Sequence, residues 1–152
     1  MAIAPEIEPF HSRLLKELDR VVAALDGLDE EAVNWKPPAA GANSLLVLAT
    51  HTLGAAEDHV LRRAVGLTVQ RSRDVEFAAK GSAGHIRERA DQVRRRIREA
   101  LESFDPARLG DEREAGSGTW TVRDALIHAI AHAAEHAGQA ELTRDLWRAR
   151  KS

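Results

Sequence analysis

The chain has 152 residues, 43% of them hydrophobic and 30% charged, with a formal net charge of −2. That is enough apolar material for a packed core and too little positive charge for a global attraction to nucleic acid. There is no cysteine, which excludes disulfides, thiolate zinc sites and a cysteine nucleophile, so any thiol chemistry must use a thiol brought in as a ligand.

The N-terminus, Met1 to Glu8, lacks a basic region followed by an apolar stretch, so no signal peptide is read there. The longest apolar run, near Leu45 to Ala49, is far short of a membrane span. One cytoplasmic domain over residues 1–152, bound to neither membrane nor nucleic acid, is expected.

Phe10, Leu14, Leu18, Val21, Val22 and Leu25 mark a first amphipathic helix from Glu6 to Leu25, closed by Asp26-Gly27. His11, near its start, reads as a surface or satisfied histidine. Residues 29–41 are a connection, because Pro37 and Pro38 remove donors and restrict what precedes them. Trp35 is expected to pack as a lid over one end of the core. Asn43 or Ser44 caps a second helix running to about Val65, with Leu45, Leu48, Ala49, Thr52, Leu53, Ala56, Val60 and Ala64 as its buried stripe. His51 sits beside that stripe, and His59 lies two turns further on.

From Gly66 to Gly84 the helical period is lost. A long crossover loop is predicted, with a short strand or turn near Val75 to Phe77. Ile86, Ala90, Val93, Ile97, Leu101 and Phe104 define a third helix, whose many arginines read as a solvated face of helical ion pairs. Asp105-Pro106 stops it, and Leu109 to Gly118 is a polar, Gly-rich connection. The fourth helix occupies most of Thr119 to Trp147. Thr121 and Asp124 form a capping-box start, and Val122, Leu126, Ile130, Ala133, Ala137, Leu142 and Leu146 recur at helical spacing. Four helices without a convincing strand pattern predict an all-α four-helix bundle with a long crossover between helices two and three.

The fourth helix carries His128, His132 and His136, four residues apart. Successive members rotate by about 40° and rise by about 6 Å, so they share one face. His128 and His136 are about 12 Å apart along the axis, too far to share one ion. A metal site therefore needs one adjacent pair, His128 with His132 or His132 with His136, and a ligand from another helix. Alanines at 129, 131, 133, 134 and 137 leave room around the imidazoles. His132-Ala-Ala-Glu135-His136 matches the H-x-x-E-H pattern of inverted zinc proteases, but the further carboxylate those enzymes need downstream is missing. Ferritin-type di-iron bundles need Glu-x-x-His on paired helices, and this helix has none.

Asn34-Trp35-Lys36-Pro37-Pro38, followed by Asn43-Ser44-Leu45 and His51, resembles the start of helix two in the DinB-like (YfiT-like) superfamily. His132-Ala-Ala-Glu-His136-Ala-Gly138-Gln139 is similar to its H-x-x-x-H-x-G-Q signature on the last helix. The arginine often found there before Gly-Gln is Ala137 here. The resemblance implies an up-up-down-down bundle and a divalent metal held by a histidine triad, His51, His132 and His136, with His128 outside it. Zinc or nickel suits such a site first, and iron or copper also uses imidazole. The best understood members are thiol-dependent transferases. The resemblance thus implies a metal-dependent S-transferase-like enzyme acting on a low-molecular-weight thiol and an electrophile, with Glu135 or His128 as a proton relay. A metal-dependent hydrolase is the competing enzyme. A non-catalytic metal-binding stress protein that pairs with itself as a homodimer is the competing non-enzyme. No role is assigned to His59, His85 or His11.

Overall fold

The computed structural model describes residues 1–116 and 118–150; Ser117, inside the predicted Gly-rich connection, and the last two residues lie outside it. The chain is mostly helical. Four long helices carry the fold: α1 (Glu8–Ala23), α3 (Leu45–Glu57), α5 (Ala83–Glu102) and α6 (Val122–Ala149). Two short helices, α2 (Glu30–Asn34) and α4 (Arg73–Phe77), sit in the connections. α1 packs on α6, α6 on α3, α3 on α5, and α5 on α1, which closes a ring of contacts around one apolar cluster. No helix among the described residues is long and apolar enough to cross a membrane.

The predicted stripes of the first three helices are the buried ones: Leu14, Leu18, Val21, Val22 and Leu25 in the first, Leu45 through Ala64 in the second, and Ile86 through Phe104 in the third, with Phe10 only partly covered. α3 is buried nearly all round, as its high apolar content demands. It runs on into a π-helical segment, Asp58–Val65, ended by Gly66 at φ +94°. That left-handed conformation turns the following Leu67 N–H back onto the Leu61 carbonyl at 2.8 Å, and only glycine adopts it without strain. The arginines of α5 do more than face solvent. Arg89 and Arg96 hold the buried Glu57 of α3, and Arg94 reaches Asp19 of α1.

Three expectations need correction. Residues 29–41 contain α2, capped by Asp29. Residues 73–77 are helix, not strand, started by the Ser72 hydroxyl accepting from the Val75 N–H. The connection before α6 holds an antiparallel pair, β1 (Glu112–Ala115) and β2 (Gly118–Thr121), with Glu112 opposite Thr121. Its residues carry no apolar alternation because neither face is buried.

The capping box of α6 forms as read: the Asp124 N–H donates to Thr121 Oγ1, and the Thr121 N–H donates to Asp124 Oδ2. The buried face of α6 is Val122, Ala125, Leu126, Ala129, Ala133, Ala137, Ala140, Thr143 and Trp147. Leu142 and Leu146, placed in the core by periodicity, are exposed instead. Trp35 packs against Trp147 with ring centroids 5.7 Å apart, and the Arg150 guanidinium lies 3.6 Å over the Trp147 ring. Trp35 thus covers the end of α6, as a lid.

Candidate metal centre

His51 reaches the centre from the first half of α3, while His132 and His136 come from successive turns of α6. The small buried residues Ala129, Ala133 and Ala137 let α6 sit close enough to α3 for the rings to meet. His132 Nε2 lies 3.2 Å from His51 Nε2 and 3.2 Å from His136 Nε2. One nitrogen from each of the three rings falls within 4.8 Å of the other two.

Two of these rings have their tautomer fixed from behind. His51 Nδ1–H donates to Glu76 Oε1 at 3.1 Å, since a carboxylate can only accept. His136 Nδ1–H donates to Gln139 Oε1 at 2.7 Å. Both therefore present an Nε2 lone pair to His132. A single proton on His132 Nε2 can bridge only one of the two 3.2 Å contacts, and the other sets lone pair against lone pair. A cation at the shared point satisfies all three. Nitrogens about 2.0–2.1 Å from a tetrahedral ion stand roughly 3.3 Å apart, so the donor set fits a divalent metal.

Glu76 is the residue that sequence reasoning missed. It is buried on α4, where it accepts from Arg71 Nε at 2.8 Å and Arg71 Nη2 at 2.9 Å as well as from His51. Arg71 is anchored in turn by Asp58, 3.9 Å from its Nη1. Burial pushes the Asp58 carboxyl up, but Arg62, Arg63 and Arg71 outweigh that and hold it below the usual range. Gly54 makes the space: a Cβ there would overlap Glu76 Oε2. The only signal in the sequence was an acidic residue within a segment without period.

The remaining histidines divide. His59 and His128 stack edge to face, 4.5 Å between centroids, and His59 lies 5.6 Å from His132. Trp120 of β2 covers His128 at 4.7 Å. His128 is thus beside the triad and outside its converging nitrogens. Glu135 is exposed and is not among the residues that line the cavity described below. His85 is exposed at the start of α5; His11 is buried on α1, and neither of its ring nitrogens is hydrogen-bonded among the described residues. Burial drives His132 down to about 3, helped by the neighbouring imidazoles, and drives His59 down to about 3, helped by His128 and Arg63. Burial also lowers His51 against the opposing pull of Glu76.

His51 and His136 open onto a cavity of about 510 Å³ between the 37–43 loop, α4 and the C-terminal half of α6. The chain matches the family model of the DinB superfamily over residues 13–140. It belongs to the DinB superfamily. No curated protein matches it. A crystal structure of a DinB-like protein from Bacillus cereus is similar in fold, with a TM-score of 0.74 at 22% identity, covering 90% of this chain and 89% of that one. In this DinB-superfamily chain α3 and α6 supply the histidines, and α4 adds the carboxylate behind them.

Proposed function

We propose that this DinB-superfamily chain is a metal-dependent enzyme of the thiol S-transferase type, with His51, His132 and His136 holding a divalent ion. The observation that carries the reading is the convergence of three imidazole nitrogens at the wall of a cavity, two of them pre-oriented by Glu76 and Gln139. Zinc or nickel fits such a nitrogen set first, and iron or copper also uses it. Three neutral ligands leave the ion's charge uncompensated and a position open, and such an ion lowers the pKa of a bound thiol or water into the neutral range. The protein's part is to keep the three nitrogens unprotonated, to hold His51 and His136 in one tautomer, and to seat the electrophile in the cavity. The thiol loses its proton, its sulfur forms the new bond to carbon, and the electrophile's leaving group departs to solvent.

Exposed Leu142 and Leu146 would support self-pairing if they faced outward alone. They line the cavity instead, which favours small-molecule binding over a purely structural dimer. The up-up-down-down order of the helices and a cytoplasmic location are part of the same reading.

Elemental analysis of purified protein, followed by assays with a panel of small thiols and chlorodinitrobenzene, tests it. One metal per chain and metal-dependent thiol consumption are expected. Absence of metal under every loading condition would return the histidines to packing. Bound metal with ester hydrolysis and no thiol turnover would make the chain a hydrolase.

A further inference from the structure

The cavity beside the histidines has a charge pattern of its own. Leu48, Phe77, Leu142 and Leu146 are the large apolar side chains of its wall, and Pro37 and three alanines of the 37–43 loop complete its apolar part. Phe77, Leu142 and Leu146 are 43%, 60% and 44% exposed. Single exposed hydrophobes are ordinary, but three gathered around one concavity of ligand size are a binding feature. No aspartate, glutamate or lysine lines the cavity, and Arg73 is its one permanent charge. Among the described residues no carboxylate lies within ion-pair reach of Arg73, whose guanidinium stands 5.8 Å over the Phe77 ring. Arg71, two residues earlier, is by contrast fully engaged by Glu76. Arg73 sits on the same short helix that carries Glu76, so its backbone has a set place relative to the histidines, and its guanidinium reaches the cavity from there.

We infer that the cavity binds a small amphiphilic carboxylate, with its apolar body against Leu48, Phe77, Leu142 and Leu146 and its carboxylate on the Arg73 guanidinium. A guanidinium fork matches a carboxylate in two parallel hydrogen bonds, and the low polarity of the adjoining wall strengthens them. The inference deepens the transferase reading by naming the class of its substrate, and it rests on that reading only for the reaction that follows binding.

Calorimetric titration of the full-length protein with phenylbutyrate, phenylbutanol and phenylbutylamine, at pH 8 and both as purified and after chelation, tests it. The acid should bind about tenfold more tightly than the alcohol in both preparations, and the amine most weakly. Arg73→Gln should remove the acid's advantage, and Arg73→Lys should keep part of it. Leu142→Glu should weaken the acid about tenfold without weakening the amine. Both positions are exposed, so circular dichroism should show an unchanged fold in all three variants. Equal binding of acid and alcohol, an acid advantage that survives Arg73→Gln, or no binding at all would overturn the inference. Acid binding lost on chelation would place the carboxylate on the ion, overturning the role of Arg73 and leaving the metal reading intact. Acid selectivity in a protein that never takes up metal would overturn the transferase reading and keep this one.

Discussion

His51 is gripped at both ring nitrogens, and the grip at the back explains two otherwise unremarked residues. Glu76 receives the Nδ1 proton of His51 and two bonds from Arg71. Replacing it with alanine frees the ring and leaves the Arg71 guanidinium with only its longer ion pair to Asp58. Metal affinity in Glu76→Ala should therefore fall about ten- to a hundredfold, measured by competition with a chelator of known affinity. Gly54→Ala should give a loss of similar size, because the new methyl group takes the place of the Glu76 carboxylate oxygen. An unchanged affinity in both variants would remove Glu76 from the site. Among the histidines, His51→Ala and His136→Ala should each abolish stoichiometric metal, while His128→Ala retains it. The physical reason is that His128 stacks on His59 and Trp120 instead of contributing a nitrogen to the convergence. Elemental analysis of the three variants decides the point. Metal lost in His128→Ala and kept in His136→Ala would mean that the upper pair is the real one.

At the scale of elements, the passage from α3 into its π-helical continuation stands out. Single π turns occur at functional sites in many helices, and this one carries His59. His59 is 5% exposed, and its Nδ1 has no hydrogen-bond partner among the described residues. With its folded pKa driven down to about 3, against about 6.5 in the unfolded chain, it is buried neutral. Below pH 6.5 the unfolded chain binds the proton that the folded chain refuses. Stability is thus fully present above about pH 6.5 and is lost as pH falls toward 3, by at most about 1.4 kcal/mol per pH unit for this group. His59→Leu should flatten that decline, as read from urea midpoints at pH 7, 5.5 and 4.5. Equal declines in wild type and variant would show that His59 is already protonated in the fold. The start of α6 offers a simpler check on element energetics. Thr121→Ala removes the hydroxyl that caps the Asp124 N–H and should cost about 1 kcal/mol in the same assay.

At the scale of the molecule, the histidine cluster is a clasp. It joins α3 to α6, and through Glu76 it draws in α4, while the Arg20 fork on Glu141 ties α1 to α6 elsewhere. A ligand that binds only when α3 and α6 are docked stabilises the folded chain by mass action, by about 2.7 kcal/mol at a hundredfold excess over Kd. Loading with zinc should therefore raise the thermal midpoint, and chelation should lower it. A midpoint that does not move after confirmed metal removal would argue against a site spanning the two helices.

The four long helices and the register of the histidines were legible in the chain itself. A repeat of 3.6 residues over four or more turns leaves a stripe that the order of apolar residues alone can reveal, and a spacing of four places ring above ring whatever the surroundings. The family motifs selected His51, His132 and His136, and the fold brings those three nitrogens together. Tertiary structure alone decided the rest. α4 has only five residues, too few turns to show a period, and Glu76 acquires meaning only when that helix closes over Gly54. Leu142 stands five residues after Ala137, off the buried line that continues through Ala140, Thr143 and Trp147, so it and Leu146 sit on the cavity side of α6. Periodicity states which residues share a face. Whether that face meets another helix or an open cavity depends on which neighbours surround it, and that is settled only by packing.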